Sequence, residues 1–264
     1  MKLDGKVIVV TGAGSGMGRE LTLQMAARGA RVAAVDLNEE NLEQTKSMAQ
    51  GEVQTFVLDV TNKTAVKALP KKVIKAFGQV DGLVNNAGII QPFVKIAELT
   101  REQAEKVMDV NFWGTFGLTK AFLPELTERP EAHIMNIASM GAYAPVPGQS
   151  VYGASKAAVK LFTEGLRSEL MDTNIGVTIV FPGSVATNIT ANSGIDVPAG
   201  SEEQAANFKP MPAADAAKEM VEAFEAGKPR ITVGKDATFM DRYSRFSPVG
   251  AANMIYKQMK SLLG

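Results

Sequence analysis

A chain of 264 residues, 45% hydrophobic and 21% charged, can bury one large core and is too apolar to be disordered. Its 28 basic and 28 acidic residues cancel, which leaves no net field to draw in a phosphate polymer, so nucleic acid is not an expected partner. The lack of cysteine and the single histidine, His133, exclude disulfides and a zinc site of the Cys/His kind, and no metal is expected.

The first residues, Met1 to Lys6, lead into a strand-like run without an apolar leader, and no stretch approaches membrane-spanning length, so the expected compartment is the cytoplasm. Short β-branched runs follow at Val7 to Val10, Arg31 to Val35, Val53 to Leu58, Gly82 to Val84, His133 to Ile137, Val177 to Phe181 and Arg230 to Val233. Helical patterns separate them. That alternation predicts βαβ units, and several runs are apolar throughout, as strands covered on both faces must be. The expected fold is α/β: a Rossmann-type, doubly wound parallel sheet of about seven strands with helices on both faces, one domain over residues 1–264.

After the first run comes Thr11-Gly12-Ala13-Gly14-Ser15-Gly16-Met17-Gly18, then a helical pattern from Arg19 to Arg28. Glycines let backbone pass close to a pyrophosphate, and the free N–H groups of a helix start attract the anion. The spacing is T-G-x-x-x-G-x-G, which misses the common G-x-G-x-x-G fingerprint at Met17 and at Arg19. Asp36 closes the second run, where a carboxylate can accept from both adenosine ribose hydroxyls and repels a 2′-phosphate. Neither Ala13, Ser15 nor Leu37 offers a cation there, so NAD is expected in preference to NADP. A helix-capping role for Asp36 ahead of Asn38-Glu39-Glu40 is compatible with this.

His133 opens an apolar run with no second metal ligand in the sequence, and reads as structural. Trp113, Phe112 and Phe116 have the helical spacing of core or subunit-contact aromatics. Tyr152-Gly153-Ala154-Ser155-Lys156 opens a long helical pattern reaching about Leu170. Four residues advance a helix by about 6 Å, so phenol and amine project from one face. A lysine charge about 5 Å from the phenol, at an effective dielectric of about 20, favours phenolate by roughly 3 kcal/mol. That is expected to bring Tyr152 down from its ordinary value towards the range useful for proton exchange.

The stretch 188–212, rich in glycine and proline, is expected to be a substrate lid. Beyond Val233 the chain continues as a predicted helical extension at 235–264. Ile255, Met259, Leu262 and Leu263 form one apolar stripe, and Phe239, Met240, Tyr243 and Phe246 suggest another. Packing over the substrate mouth or against a partner subunit is the preferred reading. Contact of this helix with a membrane surface through Lys257 and Lys260 is the alternative.

Together these residues resemble the short-chain dehydrogenase/reductase family, from Gly5 to about Val233. The matching motifs are Thr11-Gly12…Gly16…Gly18, Asp59, Asn85-Asn86-Ala87-Gly88, Asn111, Ser139, Tyr152…Lys156 and Pro182-Gly183…Thr187. The resemblance implies an NAD(P)-dependent oxidoreductase in which Tyr152 is the acid/base and Lys156 lowers its pKa and binds the nicotinamide ribose. Ser139 would hold the substrate oxygen, and Asn111 a relay water. On the cofactor side it implies Gly12, Ser15, Gly16, Met17 and Gly18 at the phosphates, and Asp36 with Leu37 at the ribose. It places Asp59 with Val60 at the adenine, Asn86, Ala87 and Gly88 beside the adenosine, and Pro182, Gly183, Val185 and Thr187 around the nicotinamide. Asn85 and Asn86 could also fasten strands together.

The implied assembly is a homodimer or homotetramer through the helix carrying Tyr152, with Ala157, Val159, Phe162 and Leu166 as candidate contacts. Met140, Tyr143 and Val146 suggest apolar walls, hence a hydrophobic secondary alcohol or ketone as substrate. A dinucleotide-sensing scaffold that catalyses nothing is the rival reading, weakened by the presence of Ser139, Tyr152 and Lys156 together.

Overall fold

The computed structural model describes residues 1–195 and 210–260. Each of the seven β-branched runs forms a strand: β1 (Val7–Thr11), β2 (Arg31–Asp36), β3 (Val53–Val57), β4 (Gly82–Asn85), β5 (Ala132–Ile137), β6 (Ile175–Pro182) and, last, β9 (Arg230–Val233). Two short strands that no alternation foreshadows, β7 (Val185–Ala186) and β8 (Met211–Pro212), pair separately at the two ends of the expected lid. Residues 196–209 of that lid lie outside the described residues.

The main sheet runs β3-β2-β1-β4-β5-β6-β9, and every pair is parallel. β1 therefore has β2 on one side and β4 on the other, and the connections diverge from it in opposite directions. A crevice opens at the carboxyl ends of β1 and β4, where such sheets take ligands.

Each central strand feeds two cores. In β1, Ile8 and Val10 point to one face, where Leu21 and Met25 of α1 (Gly16–Ala27) meet Met220 and Phe224 of the later helix at Ala213–Glu225. Val7 and Val9 point to the other, against Phe77 of α3 (Lys63–Phe77) and Phe122 and Leu126 of α5 (Thr115–Thr127). Successive side chains alternate across a strand, so burial on both faces requires apolar residues at every position. Each large side chain so buried stabilises the fold by about 1.5–3 kcal/mol.

α2 (Glu39–Met48) starts at Asn38, whose side chain accepts from Asn41 N at 2.9 Å; the capping role considered for Asp36 therefore belongs to Asn38. α4 (Arg101–Met108) opens with a reciprocal capping box between Thr100 and Gln103 and runs through a π-helical turn, Asp109–Gly114, into α5. Within that turn and beside it, Phe112, Trp113 and Phe116 form an edge-to-face cluster with Phe162, and Trp113 remains exposed.

α6 (Ser150–Glu169) carries Tyr152 and Lys156. Two of the four candidate subunit contacts on it, Val159 and Leu166, are buried inside the protomer and cannot serve. Helical spacing identified the apolar face but could not tell protomer core from outer surface.

His133 is buried, with Nε2 2.7 Å from Thr178 Oγ1 and its ring against Phe224. Burial, and to a lesser degree the N-terminal ammonium, lowers its pKa from 6.5 to about 4. The folded state resists protonation that the unfolded chain accepts, so stability is full above pH 6.5 and falls as pH drops towards 4. The loss attributable to His133 reaches about 3 kcal/mol. Urea unfolding from pH 7 to pH 4 should show a shallower slope for His133→Gln than for wild type; equal slopes would contradict this assignment.

After α7 (Ile189–Asn192) and α8 (Ala213–Glu225), the chain ends in α9 (Lys235–Phe246) and α10 (Pro248–Met259). Their inner face, with Met240, Ala251 and Ile255, packs on Met140, Tyr143 and Val146. The three residues expected to wall the substrate pocket thus lie against the C-terminal helices, because the apolar stripe on those helices needs a partner. Of that stripe, Leu262 and Leu263 lie outside the described residues. No helix among the described residues is long and apolar enough to cross a membrane.

Candidate active site

The turn between β1 and α1 is a rigid cradle. Gly12 has φ 67°, which a side chain would strain, and a Cβ on it would lie 2.8 Å from Asn86 Nδ2. Gly18 sits against the Gly12 carbonyl, where a Cβ would overlap the oxygen. Thr11 Oγ1 accepts from the backbone N–H groups of Asn86 (3.0 Å) and Ala87 (3.1 Å), and Asn86 Nδ2 donates to Thr11 O at 3.0 Å. These bonds tie the glycine turn to the end of β4. No side chain caps α1, so its first N–H groups are left for an anion.

Asp36 ends β2 with its carboxylate accepting from Gly14 N at 2.9 Å and Asn38 N at 3.0 Å. The neighbouring cation is spoken for: Arg19 donates to Gly14 O, to Gln44 Oε1 at 2.7 Å and to Thr45 Oγ1 at 3.0 Å. Asp59 Oδ1 is held by Thr61, which donates from its backbone and its hydroxyl at 2.8 Å each.

A cleft of about 870 Å³ runs along these groups. Of the expected cofactor residues, Gly12, Ser15, Gly16 and Met17 line it at the turn, and Asp36, Leu37, Asp59 and Val60 on the β2–β3 side. Asn86, Ala87 and Gly88 line it from β4, and Thr187 closes over Gly16. Gly18 is buried beneath the turn instead. α7 forms a further wall, and its Asn192 donates to Ser15 Oγ at 2.7 Å. That contact, along with Ile89 and Ile189 on the lining, had no motif to announce it.

Beyond Gly88 lie the candidate proton-handling groups. A Cβ on Gly88 would be 3.1 Å from Lys156 Nζ and 3.2 Å from Asn111 Oδ1, so both lie buried directly beside Gly88, which is the residue that lines the cleft at this point. A Cβ on Gly141 would be 3.3 Å from the Tyr152 ring and 3.4 Å from Ser139 Oγ, which places those two side by side. Ser139 Oγ also accepts from Gly141 N at 3.0 Å. Asn111 has both amide protons engaged: its amide bridges the Ile89 backbone in both senses at 2.9 Å and donates to Ser155 Oγ at 2.9 Å. A water held on this side chain, as the resemblance implied, would donate to the remaining lone pair of Oδ1.

Burial pushes the Tyr152 phenol above its ordinary value, with the Ser139 hydroxyl pulling the other way. The lowering expected from Lys156 is not among the causes of this shift. The amine donates to Ile137 O at 3.1 Å, and desolvation brings its own pKa down to about 8, which weakens it as a source of fixed charge.

Pro182 ends β6, Gly183 N donates to Val233 O at 2.9 Å, and Val185 begins β7. Asp236 at the start of α9 accepts from Ser184 N at 2.7 Å and abuts Gly183, fixing the turn. Asn85, buried, donates to Thr119 Oγ1 and Asn136 Oδ1, so it fastens strands and lies away from the cleft.

Two residues missed by sequence reasoning set the start of α6. Its N-cap, Gln149, makes no side-chain cap; Gln91 supplies one from the β4 loop, its Oε1 accepting from Val151 N (2.7 Å) and Tyr152 N (3.0 Å). Gln91 Nε2 donates to Gly148 O, and Gln149 Nε2 donates back to Gln91 O. Gln91→Leu would orphan these buried groups, each costing about 1–3 kcal/mol. The expected result is a lower melting temperature and a reduced kcat with cofactor affinity kept, while Gln91→Glu, which retains the acceptor, should recover part of kcat.

Residues 6–197 match the family model described as short chain dehydrogenase. The chain belongs to that family. SadH of Mycobacterium tuberculosis, named only as an oxidoreductase, is 37% identical over 253 residues, covering 92% of this chain and 91% of that one. Among solved structures, a family member from Burkholderia phymatum in complex with NAD superposes with a TM-score of 0.85 at 28% identity, covering 94% and 95%. Another, from Burkholderia cenocepacia in complex with NADP, gives 0.81 at 27%, covering 97% and 99%. The protein is an NAD(P)-dependent oxidoreductase of the short-chain family, and the Gly12–Gly18 turn, the crevice and the Tyr152–Lys156 helix stand in that family's fold.

Proposed function

We propose that the protein interconverts a hydrophobic secondary alcohol and its ketone, with NAD preferred over NADP and Tyr152 exchanging the proton. One observation carries this reading: Gly88, on the wall of a dinucleotide-sized cleft, has Lys156 Nζ and Asn111 Oδ1 directly beside it, and Tyr152 opens the same helix as Lys156 beside Ser139. The cradle fits the cofactor, since Gly12, Ser15, Gly16 and Met17 line the cleft at the turn and the helix start has no side-chain cap on its N–H groups.

When bound, nicotinamide supplies or accepts the hydride. Towards reduction, Tyr152, kept protonated by burial, donates its Oη proton to the carbonyl oxygen while Ser139 Oγ donates a hydrogen bond to the same oxygen. Towards oxidation the phenolate takes the hydroxyl proton. Lys156 is the nearby cation that favours that phenolate, and with a pKa of about 8 it is mostly charged at pH 7. Asn111 positions the loop at Ile89 and, through Ser155, the first turn of α6.

The Asp36 carboxylate at the ribose end, with Arg19 tied to Gly14, Gln44 and Thr45, supports NAD. Ile89 and Ile189 on the lining support an apolar substrate. Residues 1–264 are proposed to act as one domain, assembled as a homo-oligomer, with the 188–212 stretch as lid. Incubation with NAD or NADP and a panel of apolar and charged secondary alcohols, followed by reduced-nicotinamide absorbance, tests the proposal. The expected kcat/KM is at least about tenfold higher with NAD, a difference of about 1.4 kcal/mol, and apolar alcohols should turn over best. NADP preference, or turnover confined to charged alcohols, would overturn it.

A further inference from the structure

The inner faces of α9 and α10 are spent on the 140–146 loop, but their outer faces carry four exposed apolar side chains: Phe246 at 91% exposure, Val249 at 73%, Tyr256 at 56% and Phe239 at 55%. They follow one register. Lys235, Phe239, Arg242 and Phe246 fall at i, i+4, i+7 and i+11 on α9, and Val249, Asn253, Tyr256 and Lys260 repeat that spacing on α10 and its cap. Apolar and basic side chains therefore share each exposed stripe, and Phe246 and Val249 flank the single-residue corner at Ser247.

Charge decides what such a face fits. Residues 235–260 hold five basic side chains (Lys235, Arg242, Arg245, Lys257, Lys260) and two acidic ones, Asp236 and Asp241, in a chain with no net charge. Both acids are consumed: Asp236 accepts from Ser184 N, and Asp241 binds Arg230 through both oxygens and Arg245 at 3.2 Å. Lys235, Arg242, Lys257 and Lys260 make no ion pair among the described residues. A second copy docked on this face about a two-fold axis would set like charges against each other.

We propose that the outer face of α9 and α10 is a docking surface for an anionic lipid bilayer, with Phe246 and Val249 entering the headgroup boundary and the four cations on lipid phosphates. The element lies on the interface rather than crossing it. Since the helices pack on the loop that follows Ser139, docking would hold that side of the molecule at the lipid surface.

Sedimentation with vesicles tests this, using pure phosphatidylcholine and phosphatidylcholine mixed with phosphatidylglycerol, with cofactor binding and circular dichroism confirming that each variant is folded. The wild type should sediment with the anionic vesicles, less so as salt rises, and not with the neutral ones. Phe246→Ser with Val249→Ser should lower partitioning at least about tenfold, and Arg242→Ala with Lys257→Ala about thirtyfold. Failure of the wild type to sediment with anionic vesicles, or unchanged partitioning of the double serine variant, would overturn the proposal. So would a drop in the lipid-free molecular mass of the serine variant, which would assign the face to a second copy.

Discussion

Tyr152→Phe is expected to reduce kcat by about 10²–10⁴-fold, the range a positioned acid/base contributes, while leaving the cofactor dissociation constant and the melting temperature nearly unchanged. The ring fits the same space, since its packing partner at Gly141 and the backbone bonds to Gln91 and Ser155 do not involve the hydroxyl. What is lost is the phenolic proton beside Ser139, the group proposed to exchange with the substrate oxygen. Single-turnover kinetics with fluorescence titration of reduced cofactor separate the effects. Turnover within a factor of about three of wild type would move the acid/base role elsewhere, and loss of cofactor binding would show a structural role instead.

Gly18→Ala acts at the opposite end of the cleft and by a different cause. The new methyl would occupy the position of the Gly12 carbonyl oxygen and press on Asn86 Nδ2. Neither can yield cheaply, because the Asn86 amide and the Thr11 hydroxyl hold the turn to β4. The expected cost is about 1–3 kcal/mol of stability from overpacking and at least about a hundredfold weaker cofactor binding, or about 2.7 kcal/mol. Calorimetric titration with NAD and urea unfolding measure the two. An affinity within threefold of wild type would mean that the turn does not cradle the cofactor.

The sheet was legible because each buried strand must be apolar on both faces, so Val7 to Val10 announces itself. The phosphate turn was legible because close backbone approach demands glycine at Gly12 and Gly18. What escaped were contacts distant in sequence. Gln91 caps α6 from 60 residues away, Asp236 fixes the turn at Ser184 from 52, and Asn192 reaches Ser15 across 177. None has a local pattern, since a side-chain bond of this kind leaves no period behind.

The helical period placed Tyr152 and Lys156 on one face but said nothing of burial, which here raises the tyrosine against the pull of the Ser139 hydroxyl and depresses the lysine. The same blindness misassigned Val159 and Leu166 to a subunit contact, since both are buried inside the protomer. An apolar residue declares that it will be covered, not by what.

A crystal structure of the protein grown with NAD puts the reading at greatest risk. It should show the pyrophosphate on the Gly12–Gly18 turn, the adenosine ribose on Asp36, and the nicotinamide ring beside Gly88 within reach of Tyr152 and Lys156. A dinucleotide whose nicotinamide points out of the cleft, away from the Tyr152 hydroxyl, would contradict it.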